Sequence, residues 1–210
     1  MNKKRILFVT TRSPFSPIFS GDRQRAKTII KHLSKKNKVD VLYSDNIGNE
    51  KNGKIKSFFF KTNLFDKING IILSLIKLEP LQLGYFFSKS LKNFLDENHT
   101  RYNTVIFHLI RSAQYLPKNY RGKKILEMTD LISKNYGQVI KNFSTFNPVR
   151  YVYLIEKLLV KNYEFKCIQN FDKIVLASKN DLKKTEIKNT KKFIEVSNTI
   201  EINKNIYKFK

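Results

Sequence analysis

The sequence predicts an α/β fold built around a doubly wound, mainly parallel sheet. Short apolar runs of strand length alternate with longer segments that carry apolar residues at helical spacing. This alternation is typical of units in which a helix crosses over between parallel strands. The chain has 210 residues, with no internal repeat and no composition shift that would mark a boundary. We therefore expect one domain over residues 1–210.

The first strand is predicted at residues 6–10, a continuous apolar run that suits burial on both faces. A Pro- and Ser-rich loop over residues 12–21 ends at Gly21 and leads into a helix at 22–36. Further strands are predicted at residues 39–43, 55–60, 104–109, 124–128, 173–177 and 193–196. Further helices are predicted at residues 64–78, 88–97 and 149–169. Pro80 stops the first of these, and residues 178–181 fit a capping box that opens another helix.

The composition excludes several classes of protein. A single cysteine, Cys167, and three scattered histidines provide neither an intrachain disulfide nor a metal-ligand cluster. No apolar run reaches 18 residues, so no membrane span is predicted. The start of the chain, MNKKRILFVTT, has too short an apolar run for a signal peptide and no small-residue cleavage site. We expect a globular domain of a reduced, cytoplasmic compartment.

The net charge is strongly positive, with 41 Lys and Arg against 17 Asp and Glu, or +24. Such an excess favours a polyanionic partner, either nucleic acid or an anionic membrane surface. The positive charge is spread over the whole chain, and 33 of the 41 basic residues are Lys. General compositional drift explains that pattern better than a dedicated polyanion site does, so charge alone does not identify a partner.

The loops after the strands are the places to look for a site, because ligands bind beyond the carboxyl ends of such strands. The first loop ends in Gly21-Asp22 and opens a helix that carries Arg23 and Arg25. Free amides at a helix start favour anions. The loop lacks the three glycines of the dinucleotide fingerprint. It is therefore either an anion site or a plain connection between strand and helix.

Later loops hold further candidates. Asp130 follows the fifth strand and could accept a proton from a hydroxyl, or simply cap the next turn. His108 lies in an apolar run and is interpreted as a core residue. Glu156 and Glu164 share one face of a helix and could act as a pair, although neutralisation by nearby lysines explains them as well.

The helix at residues 64–78 has a strong apolar stripe. Packing against the sheet is the default explanation of such a stripe, and insertion into a membrane interface is the alternative.

The segments occur in a definite order that covers nearly the whole chain: ILFVTTRSPFSPIFSGDRQRAKTIIKHLSKKNKVDVL, LEPLQLGYFFSKSLKNFL, VIFHLIRSAQYLP, KILEMTDLISKNYGQ, IEKLLVKNYE, FDKIVLASKND and FIEVSNTIEI. In this order they resemble the N-terminal domain of a family-4-type glycosyltransferase of the GT-B, two-Rossmann architecture. The resemblance is greatest to sugar transferases of exopolysaccharide and sorting-signal (PEP-CTERM) systems.

The resemblance implies a single Rossmann-like N-terminal half of a GT-B fold. In the family the loop matched by Gly21, Asp22 and Arg25 lines the cleft between two domains. Asp130 matches the position at the acceptor hydroxyl, and Ser133 completes an Asp-x-x-Ser pattern. Arg12 and Arg111 are added as substrate-binding candidates from their location alone.

The chain departs from the family near its end. Residues 197–201 read Ser-Asn-Thr-Ile-Glu where the family usually has Pro-Asn-Gly-Val-Asp, and the sequence stops nine residues later. The second Rossmann domain of the family supplies most donor contacts and its own Glu-x7-Glu motif. Glu156 and Glu164 have this spacing but fall in the first domain, so they are interpreted as structural. We expect the C-terminal donor domain to be absent, from a truncated gene product or a separately encoded partner.

The resemblance implies a retaining, metal-independent transferase that uses a nucleotide sugar as donor substrate, with no cofactor. Its acceptor would be lipid-linked or a polysaccharide, at the cytoplasmic face of the membrane, with peripheral contact to anionic lipid. Asp130 would be catalytic, and the chain alone would be inactive. The alternative is a non-catalytic basic domain that binds anionic lipid or nucleic acid, although no recognisable nucleic-acid motif is present. A further and less favoured hypothesis is that the chain is a small-molecule enzyme of the flavodoxin-like kind.

Overall fold

The computed structural model describes residues 3–45, 55–178 and 190–197. Its strands are β1 (Arg5–Thr10), β2 (Lys38–Asp45), β3 (Lys56–Lys61), β4 (Thr104–His108), β5 (Lys123–Thr129), β6 (Lys173–Leu176) and β7 (Phe193–Glu195). Its helices are α1 (Gly21–Ser34), α2 (Leu64–Ile76), α3 (Leu81–Tyr85), α4 (Lys89–Asn98), α5 (Ile132–Ile140) and α6 (Pro148–Asn170). Short 3-10 helices lie at His99–Arg101, Ile110–Tyr115 and Thr190–Lys192.

The seven strands form one sheet in the order β3-β2-β1-β4-β5-β6-β7, and every pairing between them is parallel. The chain builds outward from β1 through β2 to β3, then crosses back to β4 beside β1. This is the doubly wound, Rossmann-like arrangement, so the predicted fold class is confirmed. The crossing makes the gap between the ends of β1 and β4 the switch point of the sheet.

Two apolar cores cover the two faces of the sheet. On one face, Leu7 and Val9 of β1 pack with α4, the 3-10 helix at Ile110–Tyr115 and the end of α6. On the other face, Ile6 and Phe8 pack with Ala26 and Ile30 of α1. The alternation of side chains along β1 therefore divides one apolar run between two cores. That division is why the run is continuous in sequence.

All seven predicted strands are present, with bounds shifted by at most two residues. The predicted helices correspond to α1, α2, α4 and α6. Two helices, α3 and α5, were not predicted, because each is short and is stabilised by a side chain from elsewhere in the fold. The capping box at residues 178–181 and the family-variant segment at 197–201 extend beyond the described residues.

Helix α2 differs from the expectation that its apolar stripe packs against the sheet. Its buried residues are the small Gly70 and Ser74, whereas Leu64, Phe65 and Ile76 are at least 70% exposed. The reason is a backbone-to-backbone contact with α3. Only small side chains allow the two helices to approach this closely, so the bulky residues face outward.

The contact between α2 and α3 depends on two facing glycines. A Cβ built on Gly84 would overlap the backbone of Gly70 and Ile71, and a Cβ built on Gly70 would overlap the backbone of Gly84. Neither glycine has a positive φ. The requirement is therefore space and not backbone conformation.

Replacing Gly84 with Ala should force α2 and α3 apart. We expect Gly84→Ala to lower the free energy of unfolding by about 1–3 kcal/mol, the usual cost of overpacking. We also expect faster amide exchange in α2. Urea unfolding followed by circular dichroism, with hydrogen exchange, measures both effects.

Gly21→Ala is the matched control. Nothing lies within 4 Å of a Cβ at Gly21, at the start of α1. We expect this substitution to leave stability unchanged or to raise it by up to about 1 kcal/mol through helix propensity. Equal stability of the two variants would contradict the close contact between α2 and α3.

Candidate functional site

The candidate site lies at the carboxyl edge of the sheet, where β1 and β4 part. Thr11 and Arg12 follow β1, and Arg111 follows β4. The amino terminus of α1, with Gly21 and Asp22, faces the same gap. The structure thus brings together four of the predicted residues: Arg12, Gly21, Asp22 and Arg111. We call this region the crevice.

Asp22 is the centre of the crevice. Its Oδ2 accepts hydrogen bonds from Arg12 (3.1 Å) and Arg111 (3.0 Å), and its Oδ1 accepts one from the Ser20 hydroxyl (2.6 Å). The Arg23 backbone N–H donates to Oδ1 at 3.0 Å. Burial alone would raise the pKa of Asp22, but these donors and the two arginines outweigh it and lower the pKa to about 2. Asp22 is therefore a carboxylate throughout the neutral range.

Arg111 is held rigidly against an aromatic ring. Its Nε donates to the Thr11 hydroxyl at 2.6 Å, and its guanidinium lies 4.2 Å from the centre of the Phe86 ring. Arg12 lies over the same ring at 5.5 Å. Burial and the nearby charge of Arg12 lower the pKa of Arg111 to about 10, and Asp22 opposes that shift. Phe86 and Asp22 together hold two like charges side by side.

A pocket of about 320 Å³ opens next to the crevice, beyond the ends of β1, β2 and β3. We call it the edge pocket. Its charged lining residues are Arg12, Arg23, Lys67 and Asp45, and Tyr85 and Phe86 form an aromatic wall. Arg23 pairs with Asp45 at 3.1 Å. The pocket therefore has an excess of positive charge and suits a polar ligand with negative charge.

Arg25 lies beneath the crevice in a buried ionic cluster. Its Nε donates to Glu127 Oε1 at 2.7 Å, and its terminal nitrogen donates to the Val196 carbonyl at 2.9 Å. The other oxygen of Glu127 is 2.5 Å from His108 Nδ1, and His108 Nε2 is 3.0 Å from the Asp22 carbonyl. Burial alone would raise the pKa of Glu127, but the hydrogen bonds and charges of His108 and Arg25 have the larger effect, so the pKa is lowered. The cluster joins α1 to β4, β5 and the end of β7.

Asp130 follows β5 at the same edge of the sheet and is partly exposed. Its N–H donates to the Met128 carbonyl at 2.8 Å. The preceding Thr129 has a φ of 65°, and Leu109, directly after β4, has a φ of 66°. A positive φ is costly for a β-branched residue and tends to occur at functional sites. The backbone is therefore strained directly after β4 and at the last residue of β5.

Ser133 is bound to a buried carboxylate. Its N–H and its hydroxyl donate to the two oxygens of Glu164, at 3.1 and 2.5 Å. Glu164 thereby caps the start of α5, and burial raises its pKa. Glu156 caps α3 in the same way through the N–H groups of Leu81 (3.0 Å) and Gln82 (3.5 Å). The two glutamates of α6 are structural, as interpreted from the sequence, and each caps a different helix.

Sequence reasoning missed several residues of this region: Arg23 and Asp45 as a pair, Phe86 as the support of two arginines, and the Glu127–His108 contact. Asp45 ends β2 just as Asp130 follows β5, so the strand-end rule offered a signal for it. Phe86 gave no such signal in the sequence.

Among the described residues, no group of three His, Cys, Asp or Glu side chains could hold a metal ion. Within the same ranges, no helix combines enough length and apolarity to cross a bilayer.

Comparison with known proteins identifies the fold. The sequence matches no family profile, and no curated protein matches it. Among solved structures, the chain is similar to the apo form of lipopolysaccharide outer core galactosyltransferase WaaB, with a TM-score of 0.52 and 14% identity. It is also similar to sucrose-phosphate synthase from Thermosynechococcus elongatus, with a TM-score of 0.55 and 13% identity.

The match covers 95% and 86% of this chain but only 47% and 44% of those two chains. This chain therefore spans about half the length of its structural neighbours. Both neighbours are glycosyltransferases of the GT-B architecture. At this level of identity the similarity identifies a Rossmann-like fold of the kind found in GT-B enzymes.

The low pKa of Asp22 makes stability depend on pH. The folded-state pKa of about 2 lies below the ordinary value of 3.8, so the carboxylate stabilises the fold above pH 4. That contribution is lost as the pH falls from about 4 towards 2. We expect Asp22→Asn to lower the free energy of unfolding at pH 7 by about 1–2 kcal/mol, allowing for solvent screening.

The difference between wild type and Asp22→Asn should shrink as the pH falls below 4, which urea unfolding at several pH values measures. Asp96→Asn is the control, since its pair with Lys92 is exposed and within one helix turn. A constant difference at every pH would contradict the charged network around Asp22.

Removing the charge of Glu127 should leave the Arg25 guanidinium buried without its carboxylate. We expect Glu127→Gln to lower the free energy of unfolding by about 3–5 kcal/mol at neutral pH, the usual cost of breaking a buried ion pair. Thermal and urea unfolding measure this effect. Glu97→Gln on the exposed side of α4 should change stability by less than about 0.5 kcal/mol. A similarly small effect at Glu127 would refute the role of the cluster.

Proposed function

We propose that this chain is the acceptor-side half of a nucleotide-sugar-dependent glycosyltransferase. The observation that carries the proposal is the convergence of three features at one edge of the sheet. These are the open amino terminus of α1 at Gly21, the paired arginines 12 and 111, and Asp130 after β5. The similarity of the fold to about half of two GT-B enzymes supports the same function.

Gly21 and the first turn of α1 would receive phosphate charge of the donor. The absence of any atom within 4 Å of a Cβ at Gly21 leaves space there. The amides that open the helix favour an anion, and Arg12, whose side chain is 40% exposed, adds a nearby cation. Arg25 is buried in its pair with Glu127, so we assign it the role of holding α1 in place.

Asp130 would orient or deprotonate the acceptor hydroxyl, since it stands at the end of a strand beside the crevice and is accessible. Ser133, whose hydroxyl donates to Glu164, would fix the start of α5 shortly after Asp130. The edge pocket, with its cationic rim and aromatic wall, would receive the rest of a polar acceptor. We propose a lipid-linked or polysaccharide acceptor, and a retaining reaction that requires no metal.

A second Rossmann domain would complete the site, because a crevice with only one wall cannot align donor and acceptor. We further propose that the chain acts at the cytoplasmic face of a membrane. Bulky apolar side chains of α2 and α6 are exposed, among them Phe65, Ile68, Ile155 and Leu158. Apolar side chains within a strongly basic surface favour peripheral binding to anionic lipid.

The decisive experiment pairs this chain with a candidate donor domain. The coding DNA around the gene is read for a second Rossmann unit with a Glu-x7-Glu motif, and the two are produced together. We expect transfer of sugar from a nucleotide donor to a membrane extract, detected by mass spectrometry. Asp130→Asn should reduce the rate by about 100-fold or more, the range of general-base contributions.

Asp96→Asn, on the exposed side of α4, is the matched control and should leave the rate unchanged. Equal rates for the Asp130 and Asp96 variants would refute the assignment of Asp130. Binding of RNA, heparin and anionic vesicles alike, with steep salt dependence and no effect of nucleotide sugars, would instead support a non-catalytic basic domain.

A further inference from the structure

A second, larger groove lies away from the crevice. Its volume is about 770 Å³, within the range of small-molecule sites. It is bounded by α2, α3, the segment after the 3-10 helix at Ile110–Tyr115, and the end of α6. Lys124, near the beginning of β5, also lines it. The groove therefore opens towards the amino edge of the sheet, opposite the end at which the crevice lies.

The inner wall of the groove is apolar. Leu83 and Phe171 are almost fully buried at its base, and Phe87 and Leu116 are partly buried beside them. Leu73 of α2 lines the groove with 47% of its surface exposed. An apolar side chain exposed in a concave site gains from an alkyl chain that removes it from water.

The rim of the groove is cationic. Five lysines line it: Lys77, Lys92, Lys118, Lys124 and Lys166. Lys92 is paired with Asp96, whereas the ammonium groups of the other four have no ion pair with any described residue. The only carboxylate among the lining residues is that of Glu79. Four ammonium groups facing one carboxylate leave a net positive charge at the mouth.

The groups at the inner wall add no compensating negative charge. Cys167 lines the groove beside Tyr163, and burial raises the pKa of its thiol to about 12. Burial also raises the pKa of Tyr163 well above its usual range. Both side chains are therefore neutral at physiological pH, and the positive rim remains unbalanced.

We propose that this groove binds an anionic amphiphile, with the alkyl chain on the apolar wall and a phosphate or carboxylate head among the rim lysines. The charge of the rim and the apolar wall each match one end of such a molecule. A neutral lipid would contact only the apolar wall, and a small inorganic anion would contact only the rim lysines. The proposal concerns a site separate from the crevice and does not rest on the transferase function.

Dodecyl phosphate is the probe, titrated by calorimetry below its critical micelle concentration. We expect saturable 1:1 binding to the full chain. Dodecyl maltoside, with the same chain and a neutral head, and inorganic phosphate, with no chain, should each bind at least 10-fold more weakly. Equal binding of either probe would overturn the proposal, because either the lysine rim or the apolar wall would then contribute nothing to binding.

Two pairs of variants locate the binding. Lys166→Glu should weaken it on the order of 10-fold or more, since each lysine near an anionic head group contributes on the order of fivefold. Lys161→Glu, which is exposed on the same helix but outside the groove, is the control. Leu73→Ser should weaken binding several-fold, whereas Leu75→Ser, exposed on α2 outside the groove, should not. All four residues are exposed, so we expect the four variants to fold, which circular dichroism checks. Equal effects within both pairs would overturn the proposal.

Flotation with phosphatidylglycerol vesicles then identifies the source of the amphiphile. Recruitment that Lys166→Glu weakens more than Lys161→Glu assigns the ligand to the bilayer. Recruitment affected equally by both, together with selective binding of dodecyl phosphate, assigns it to a free amphiphile. In both cases dodecyl phosphate occupies the groove, and only in the first case does the groove also contact the bilayer.

Discussion

The buried contact between Arg25 and Glu127 is the interaction on which the geometry of the crevice depends. Arg25 belongs to α1, which follows β1, and Glu127 belongs to β5, which lies next to β4. The pair therefore links the two halves of the sheet that meet at the switch point. His108 extends the cluster to β4 and to the Asp22 carbonyl, and the second nitrogen of Arg25 reaches Val196 after β7. A buried charge requires its partner, so these elements cannot move independently. The start of α1, which presents Gly21 and Asp22, is thereby fixed relative to the strand ends.

A second constraint acts where α2 and α3 approach each other through their smallest residues. Gly70 and Gly84 bring α2 and α3 together, so the bulky side chains of α2 face outward. The same packing leaves Leu73 exposed as one wall of the large groove. Close packing of helix backbones therefore creates both the exposed apolar surface and the concave site beside it. Five lysines line the same groove as Leu73, and this combination of charge and apolar surface is the basis for proposing an anionic amphiphile as its ligand.

Buried carboxylates stabilise several parts of this fold. Glu156 and Glu164 lie on one face of α6, and each caps a short helix that its own sequence would barely form. This explains why α3 and α5 were missed. Their stabilising side chains lie 75 and 31 residues away in sequence. It also explains why paired glutamates on a helix did not indicate an acid–base site, since each accepts N–H groups from a different helix.

The pattern of apolar runs was enough to predict the seven strands, the parallel sheet and four of the helices, because period and burial are local properties of a sequence. The strand-end rule likewise placed Asp22, Arg111 and Asp130 at one edge of the sheet. Only the tertiary structure decided which side chains meet there: Arg12 and Arg111 on Phe86 around Asp22, and Arg25 withdrawn to Glu127. It alone decided which way α2 faces, since two glycines 14 residues apart, Gly70 and Gly84, must first come into contact. Ion pairs and backbone contacts between distant residues have no signature in a single sequence, because either partner alone reads as an ordinary polar or small residue.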